Sequence, residues 1–351
     1  MTQNVEPQDV GPVAERHRFD EQALARWLER NLEGYRGPLR VQQFAGGQSN
    51  PTFFLTEGDR HLVLRKKPPG QLLPSAHAVD REFRVQKALA SVGFPVPRVL
   101  VLCEDTSVIG QMFYVMEWVQ GRILRDPLLP GMEPAERRAI YDAMNETLAR
   151  LHTIDPAAIG LGDFGKPGNY FQRQIARWIK QYEASKTDEI ESFNRLVEWL
   201  PSNIPPGDET RIAHGDFRLE NMVIHPTEPR VLAVLDWELS TLGHPLADLG
   251  YNVMNYFTPK GYGASLADQD LDALGIPTVE EYVAAYCRRT GRERIDNLEF
   301  YVVFALFRLA AIAQGIAMRA RTGNASSDNA EAVGRLAGSL ADAAWQLAQR
   351  R

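Results

Sequence analysis

The sequence predicts an α+β protein in two lobes, a small lobe of sheet plus helix followed by a larger, mainly helical one. Two patterns and a size argument carry this. Residues 39–117 hold five short strand-like runs around one helical pattern, whereas from Val119 onward 3.6-residue periods take over. The chain has 351 residues, beyond the roughly 250–300 at which a single core stops growing. The expected division is a disordered arm over residues 1–18, an N-lobe over 19–118 and a C-lobe over 119–351.

Residues 1–18 are polar, carry Pro7, Gly11 and Pro12, and show no period. Asp20 can cap a helix running through Asn31, with Leu24, Trp27, Leu28 and Leu32 on one face. Strands are expected at 39–44, 52–56 and 61–65, then a helix over 77–92 with Phe83, Val85, Leu89 and Val92 apolar. Strands at 98–103 and 111–117 complete the small lobe. Gln120-Gly121 is the expected junction. Helices follow over 133–152 and 169–185, the second carrying Phe171, Ile175, Trp178 and Ile179. The apolar run 231–235 reads as a buried strand, and helices resume to the C-terminus. There is no internal repeat.

Composition narrows the class. Apolar residues make up 44% and charged residues 24%, ordinary for a globular enzyme. A net charge of −6 argues against a general nucleic-acid binder, which would show a basic stripe. Cys103 and Cys287 fit no metal spacing and read as buried free thiols. The first residues lack the apolar core of a signal peptide, and the longest apolar helix, near 300–318, is interrupted by Arg308 and Gln314. The expectation is a cytoplasmic protein with no membrane and no nucleic-acid partner.

The most informative stretch is Ala213-His214-Gly215-Asp216-Phe217-Arg218-Leu219-Glu220-Asn221, followed after an apolar run by Asp236-Trp237-Glu238. Asp216 and Asn221 stand at the D-x-x-x-x-N spacing of kinase catalytic loops, where the Asp takes a hydroxyl proton and the Asn ligates a metal. The apolar strand delivers Asp236 at its end. Phosphoryl transfer calls for such groups, because charge spreads over the transferred oxygens and only cations and positioning stabilise it.

These motifs resemble the aminoglycoside phosphotransferase-like family of the protein-kinase-like fold, which writes its loop H-G-D-x-x-x-x-N and its metal acid as D-W-E. The stretch 160–180 and the late helix with Phe304, Arg308, Gln314 and Gly315 are similar to one subgroup, the kinase-like domains that accompany acyl-CoA dehydrogenases. The resemblance covers roughly residues 38–345. It implies a two-lobed protein-kinase-like fold, ATP as donor with GTP as the alternative, Mg2+, a small-molecule hydroxyl acceptor, and functional pairing with an acyl-CoA dehydrogenase.

The nucleotide side is expected in the small lobe. Gly46, Gly47 and Ser49, in Phe44-Ala45-Gly46-Gly47-Gln48-Ser49-Asn50, lie between two strands where backbone can approach phosphate; a plain hairpin turn is the other reading. The third strand ends Val63-Leu64-Arg65-Lys66-Lys67. The kinase template selects Arg65 for the phosphates, and alternation puts it on the opposite face from Lys66; a solvated basic strand end is the alternative, and a register one residue off would select Lys66. Glu82 is its expected partner, against a surface Glu. Met116, Glu117 and Val119 close the last strand, where the family's hinge meets the base.

On the chemical side Asp216 is assigned the acceptor proton, and Asn221 and Asp236 the magnesium. Arg218 is open between phosphate contact and a structural ion pair. His214 and Asp248 read as braces of the loop. Asp163-Phe164-Gly165 spells D-F-G yet precedes the loop, so Asp236 is the metal acid. No A-P-E segment follows Asp236, which removes a protein-substrate platform and favours a small acceptor. Residues 241–351 carry 12 acidic and 11 basic side chains, a poor match to a polycationic sugar. Arg308, among Phe304, Phe307 and Ile312, should meet an internal carboxylate or an anionic ligand; for the apolar residues, core packing is the alternative. The favoured acceptor is a hydroxyacyl-CoA or a similar anionic or acyl metabolite. An aminoglycoside phosphotransferase and a non-catalytic nucleotide-binding module are the alternatives.

Overall fold

The computed structural model describes residues 7, 9–45, 50–69, 77–259, 265–321 and 330–350. It divides into two compact units, one of Met1–Gly121 with Leu232–Glu238, the other of Arg122–Val231 with Leu239–Arg351. The first break falls directly after Gln120-Gly121. The short return segment, expected in the second lobe with its neighbours, clusters with the first unit instead, because Val234 donates to the Pro95 carbonyl at 2.8 Å and Trp237 packs on Phe94.

The first unit is a six-stranded antiparallel sheet with helices against it. Its strands are β1 (Val10–Gly11), β2 (Leu39–Phe44), β3 (Thr52–Glu57), β4 (Arg60–Lys66), β5 (Val99–Cys103) and β6 (Phe113–Glu117), in the order β1-β2-β3-β4-β6-β5. Helix α1 (Glu21–Asn31) begins at Asp20, whose side chain accepts from the Ala23 amide at 2.9 Å, and buries Leu24 and Leu28. Helix α2 (Val79–Ser91) buries Val79, Glu82, Val85, Gln86 and Leu89. Leu24, Leu28, Phe53, Leu55, Leu62 and Leu64 form the core on one face of the sheet. The stretch expected to be a structureless arm takes regular structure in part: Val10 and Gly11 pair with Phe44 and Gln43, and Val13 and Phe19 pack on the core. Those few apolar anchors are diluted in a polar composition, so the sequence does not display them.

The second unit is mainly helical. Its longer helices are α3 (Pro134–Thr153), α4 (Tyr170–Ser185), α5 (Glu191–Ser202), α6 (Pro245–Val253), with α7 (Leu271–Leu274) short, then α8 (Val279–Thr290), α9 (Leu298–Arg321), α10 (Ala330–Gly334) and α11 (Leu336–Ala348). Short strands β7 (Arg211–Ala213) and β10 (Thr241–Gly243) pair antiparallel, and β8 (Met222–Ile224) lies between them in sequence; β9 (Val231–Val234) leads into the segment that belongs to the first unit. Helix α9 is the core rod, packed by α4, α6, α10 and α11. It is long and apolar enough to cross a membrane, but 72% of that apolar window is buried inside the protein. Phe304 and Phe307 are buried in it, each contributing about 1.5–3 kcal/mol of burial. Gln314, buried beside them, donates to the Ser185 carbonyl at 2.9 Å and the Thr187 hydroxyl at 2.7 Å. These residues are core, not an open acceptor face. Cys103 and Cys287 are buried free thiols.

Candidate active site

In the first unit β4 alternates as its sequence requires, and the two cations at its end part company. Arg65 sits with Nε 3.2 Å from Glu82 Oε2, and with Nη2 3.1 Å from Asp236 Oδ1 and 3.8 Å from Glu238 Oε2. Lys66 is buried on the other face, its ammonium 4.9 Å from the centroid of the Phe19 ring and 5.7 Å from that of Phe53. Burial alone would lower the Arg65 pKa; the pull of Glu82 first, then of Tyr114, Asp236 and Glu238, more than offsets it and locks the guanidinium charged. Glu82 is no surface residue: it is fully buried and accepts from Asn50 Nδ2 at 2.6 Å and the Tyr114 hydroxyl at 3.0 Å.

Asp236 follows β9 at φ +63°, in the left-handed region that Asp tolerates better than most residues. Trp237 anchors that turn: it is buried and its indole donates to the Val234 carbonyl at 2.9 Å. Met116 is buried with Val63, Val79 and Tyr114. Glu117 pairs with Arg98 at 3.5 Å, and its amide donates to the Arg98 carbonyl at 2.9 Å. Val119 is half-buried just past β6. Gly46, Gly47, Gln48 and Ser49 lie outside the described residues. Asn50, next to them, is buried and joins Glu82 to His77, a role its sequence neighbourhood did not single out.

In the second unit the loop after β7 is held from below. Gly215 has φ +86°, and a Cβ there would come within 2.9 Å of the Leu239 carbonyl oxygen, so only glycine fits. Asp248, on α6, accepts from the His214 amide at 2.6 Å and the Gly215 amide at 2.8 Å, with His152 Nε2 at 3.4 Å. Burial pushes its carboxyl up, but the His152 hydrogen bond and charge, His214 and the Gly215 amide outweigh that and hold it below the usual carboxylate range. His214 is buried and its Nδ1 accepts from the Asp216 amide at 3.1 Å. Both side chains brace the loop.

Asp216 is then engaged on both oxygens. Oδ2 accepts from Asn221 Nδ2 at 2.8 Å, which also donates to the Asp216 carbonyl at 2.9 Å. Oδ1 accepts from the Tyr251 hydroxyl. Arg218 places Nε 3.4 Å from Asp216 Oδ1 and pairs with Glu220, so it stands here as an ion-pair partner of the loop. Among the described residues Arg308 pairs with no carboxylate, the first of its two expected partners. It donates to the Gly215 carbonyl and lies 5.2 Å from the Tyr251 ring centroid and 5.9 Å from that of Trp178. A carbonyl and two π-faces are its partners among the described residues. Phe164 of the D-F-G triplet is buried, with Gly165 against Thr241 and Leu242.

Sequence reading missed Tyr251, and it gave no individual role to Asn50 and Glu238 although both stand in the stretches it quoted. Tyr251 could have been found: it lies three residues after Asp248 on one helix, hence on the same face.

Among the described residues no group of three or more His, Cys, Asp and Glu side chains gathers as a metal cluster. Taken separately, each unit presents an oxygen donor of the kind a hard cation takes: in the second, Asn221 turns its amide nitrogen on Asp216 and leaves its carbonyl oxygen available; in the first, Asp236 offers a carboxylate, with Glu82 and Glu238 around the same guanidinium.

The phosphotransferase enzyme family model matches residues 40–297. The chain is 50% identical over 342 residues to mouse (Mus musculus) acyl-CoA dehydrogenase family member 10, covering 97% of this chain and 32% of that protein. It is 46% identical over 348 residues to human (Homo sapiens) acyl-CoA dehydrogenase family member 11, covering 97% and 45%. The chain thus spans less than half the length of these relatives. A crystal structure from Ralstonia eutropha JMP134, classed with the aminoglycoside phosphotransferases, is 51% identical with a TM-score of 0.87, over 95% of this chain and 99% of that one. Two more distant structures share the fold: Cryptosporidium parvum choline kinase, at 12% identity and TM-score 0.65 over 93% and 95% of the two chains, and a thermostable aminoglycoside phosphotransferase APH(4)-Ia mutant in complex with ADP and hygromycin B, at 16% and 0.61 over 93% and 98%. The H-G-D-x-x-x-x-N loop, the D-W-E turn and the match over most of the chain agree: this protein belongs to the phosphotransferase enzyme family and has its two-lobed protein-kinase-like fold.

Proposed function

We propose that the chain transfers the γ-phosphoryl group of ATP to a hydroxyl of an acyl-bearing, anionic small molecule, with a hydroxyacyl-CoA as the favoured acceptor. The observation that carries the reaction class is the Asp216 carboxylate, oriented through both oxygens on a loop that Asp248 and His214 fix. In this reading the acceptor oxygen forms the new bond to phosphorus as its proton passes to Asp216, and the bond from phosphorus to the ADP oxygen breaks. Arg65, kept charged by Glu82, serves the nucleotide phosphates together with the Gly46, Gly47 and Ser49 backbone, and Met116, Glu117 and Val119 border the base. Mg2+, held by the Asn221 carbonyl and the Asp236 carboxylate, would supply the charge that neutralises the phosphates.

Nucleotide use is supported by the ADP complex of the distant APH(4)-Ia structure. The acyl acceptor is supported by the names of the relatives at 46–50% identity, and by the balanced charge of residues 241–351. Those relatives are much longer chains, and we read the pairing as functional: an acyl-CoA dehydrogenase working on the same metabolite in the cytoplasm. The competing acceptor is an aminoglycoside, favoured by the class of the 51% identical structure.

A coupled ADP-release assay with hydroxyacyl-CoAs, free hydroxy acids, kanamycin and hygromycin B at equal concentration decides between them. The expected result is the highest kcat/KM with a hydroxyacyl-CoA. Efficient turnover of either antibiotic, with none of any acyl substrate, would restore the antibiotic-kinase reading.

A further inference from the structure

A carboxylate turns about a broad, two-fold torsion, so one hydrogen bond does not fix its plane. Asn221 holds Asp216 Oδ2 and the Asp216 carbonyl, which leaves that rotation open. The Tyr251 hydroxyl, on Oδ1, closes it from a buried ring; Arg218 Nε, 3.4 Å from the same oxygen, comes from a more exposed side chain that is shared with Glu220. Tyr251 is itself immobilised. It is buried on α6, all nine residues of which are buried, and α6 lies so close to α9 that a Cβ on Gly250 would come within 2.5 Å of the Tyr301 carbonyl. Arg308 lies 5.2 Å from the Tyr251 ring centroid and also donates to the Gly215 carbonyl. One guanidinium therefore ties the ring that orients Asp216 to the backbone that carries Asp216.

We propose that Tyr251 is a positioning residue for phosphoryl transfer: its hydroxyl sets the plane of the Asp216 carboxylate, and Arg308 clamps its ring to the catalytic loop. This rests on Asp216 being the acceptor-side group. The hydroxyl is a fixture, because a buried ring on a buried helix, clamped by a cation, does not swing aside for each substrate. Lost orientation costs rate in the chemical step and leaves ground-state binding alone.

Tyr251→Phe keeps the ring under Arg308 and removes only the hydroxyl. The expected result is a kcat lower by roughly 10- to 100-fold, with KM for ATP and for the acceptor within about threefold of wild type. Because Tyr251 acts through Asp216, the same change made in an Asp216→Ala background should leave the residual rate where it was. Amide hydrogen exchange supplies a readout independent of turnover: in Tyr251→Phe the backbone at residues 216–221 should exchange faster, while the His214 and Gly215 amides stay protected by Asp248. A kcat within twofold of wild type, a fallen acceptor KM with kcat raised, an equal fold loss in the Asp216→Ala background, or unchanged exchange would each overturn the proposal. If the phosphotransfer reading itself fails, wild type will release no ADP with any acceptor, and the exchange result still decides the role of Tyr251.

Discussion

The two units hold their candidate site residues by different interactions. In the first unit, three carboxylates converge on one buried guanidinium, so Arg65 is held by charge. In the second unit, Asp216 is held by a phenol, an amide and a loop pinned by backbone N–H bonds, with Arg218 beside its carboxylate and Arg308 on the preceding carbonyl. Ion pairs in a dry setting are strong and tolerant of small angular errors; neutral hydrogen bonds are weaker and more directional. The lesson is a division of labour. The first unit holds its candidate residue by charge, the second holds its own by geometry.

The largest test of that contrast is Arg65→Ala. It strips the counter-charge from a fully buried Glu82, so the first unit should lose about 3 kcal/mol, and nucleotide affinity should collapse with it. Lys66→Ala removes a cation that lies against Phe19 and Phe53 and touches no carboxylate among the contacts described. It should cost about 1 kcal/mol and leave nucleotide affinity within about threefold. Chemical denaturation and nucleotide titration of both variants check the ranking; the reverse order would mean that β4 is displaced by one residue.

A smaller effect concerns the ground under the second half. His244 caps α6 by accepting from the Leu246 amide at 3.2 Å, and burial first, helped by Arg292 and His152, drags its pKa from 6.5 down to about 4. A histidine whose folded pKa is lowered stays neutral while the unfolded chain takes up a proton, so stability falls as pH drops from about 6.5 toward about 4 and levels off below. The slope should be on the order of 1 kcal/mol per pH unit. His244→Asn keeps a cap and should flatten that part of the profile. Urea denaturation at a series of pH values measures it, and an unaltered slope in the variant would contradict the assignment.

How legible all this was depended on range. The strands of the first unit ended where alternation ended, as at 39–44, and the Asp20 cap was readable because a cap is a contact between near neighbours. The parity that separates Arg65 from Lys66 is likewise local. The Arg65–Asp236 contact joins residues 171 positions apart, and nothing local announces it. Long separation also hid the return of 232–238 to the first unit and the bond from Arg308 to Gly215, 93 positions apart. Helix α5 escaped specific assignment although Phe193, Leu196 and Leu200 have the right spacing, because it is short and Pro201 falls inside its last turn. Motif residues were found because a loop constrained by chemistry keeps its spelling; supporting residues such as Tyr251 and Asn50 were not, because any fold-compatible donor could have served.

The most direct test of the account is Asp216→Asn, measured for turnover and for nucleotide affinity in the same preparation. The substitution keeps the size of the side chain and an oxygen for Tyr251 or Asn221 while abolishing its capacity to take the acceptor proton. ADP release at saturating acceptor should fall by on the order of 10³-fold, and calorimetric nucleotide affinity should stay within about threefold of wild type. Normal turnover in this variant, or loss of nucleotide binding with it, would contradict the division between a half that holds charge and a half that holds geometry.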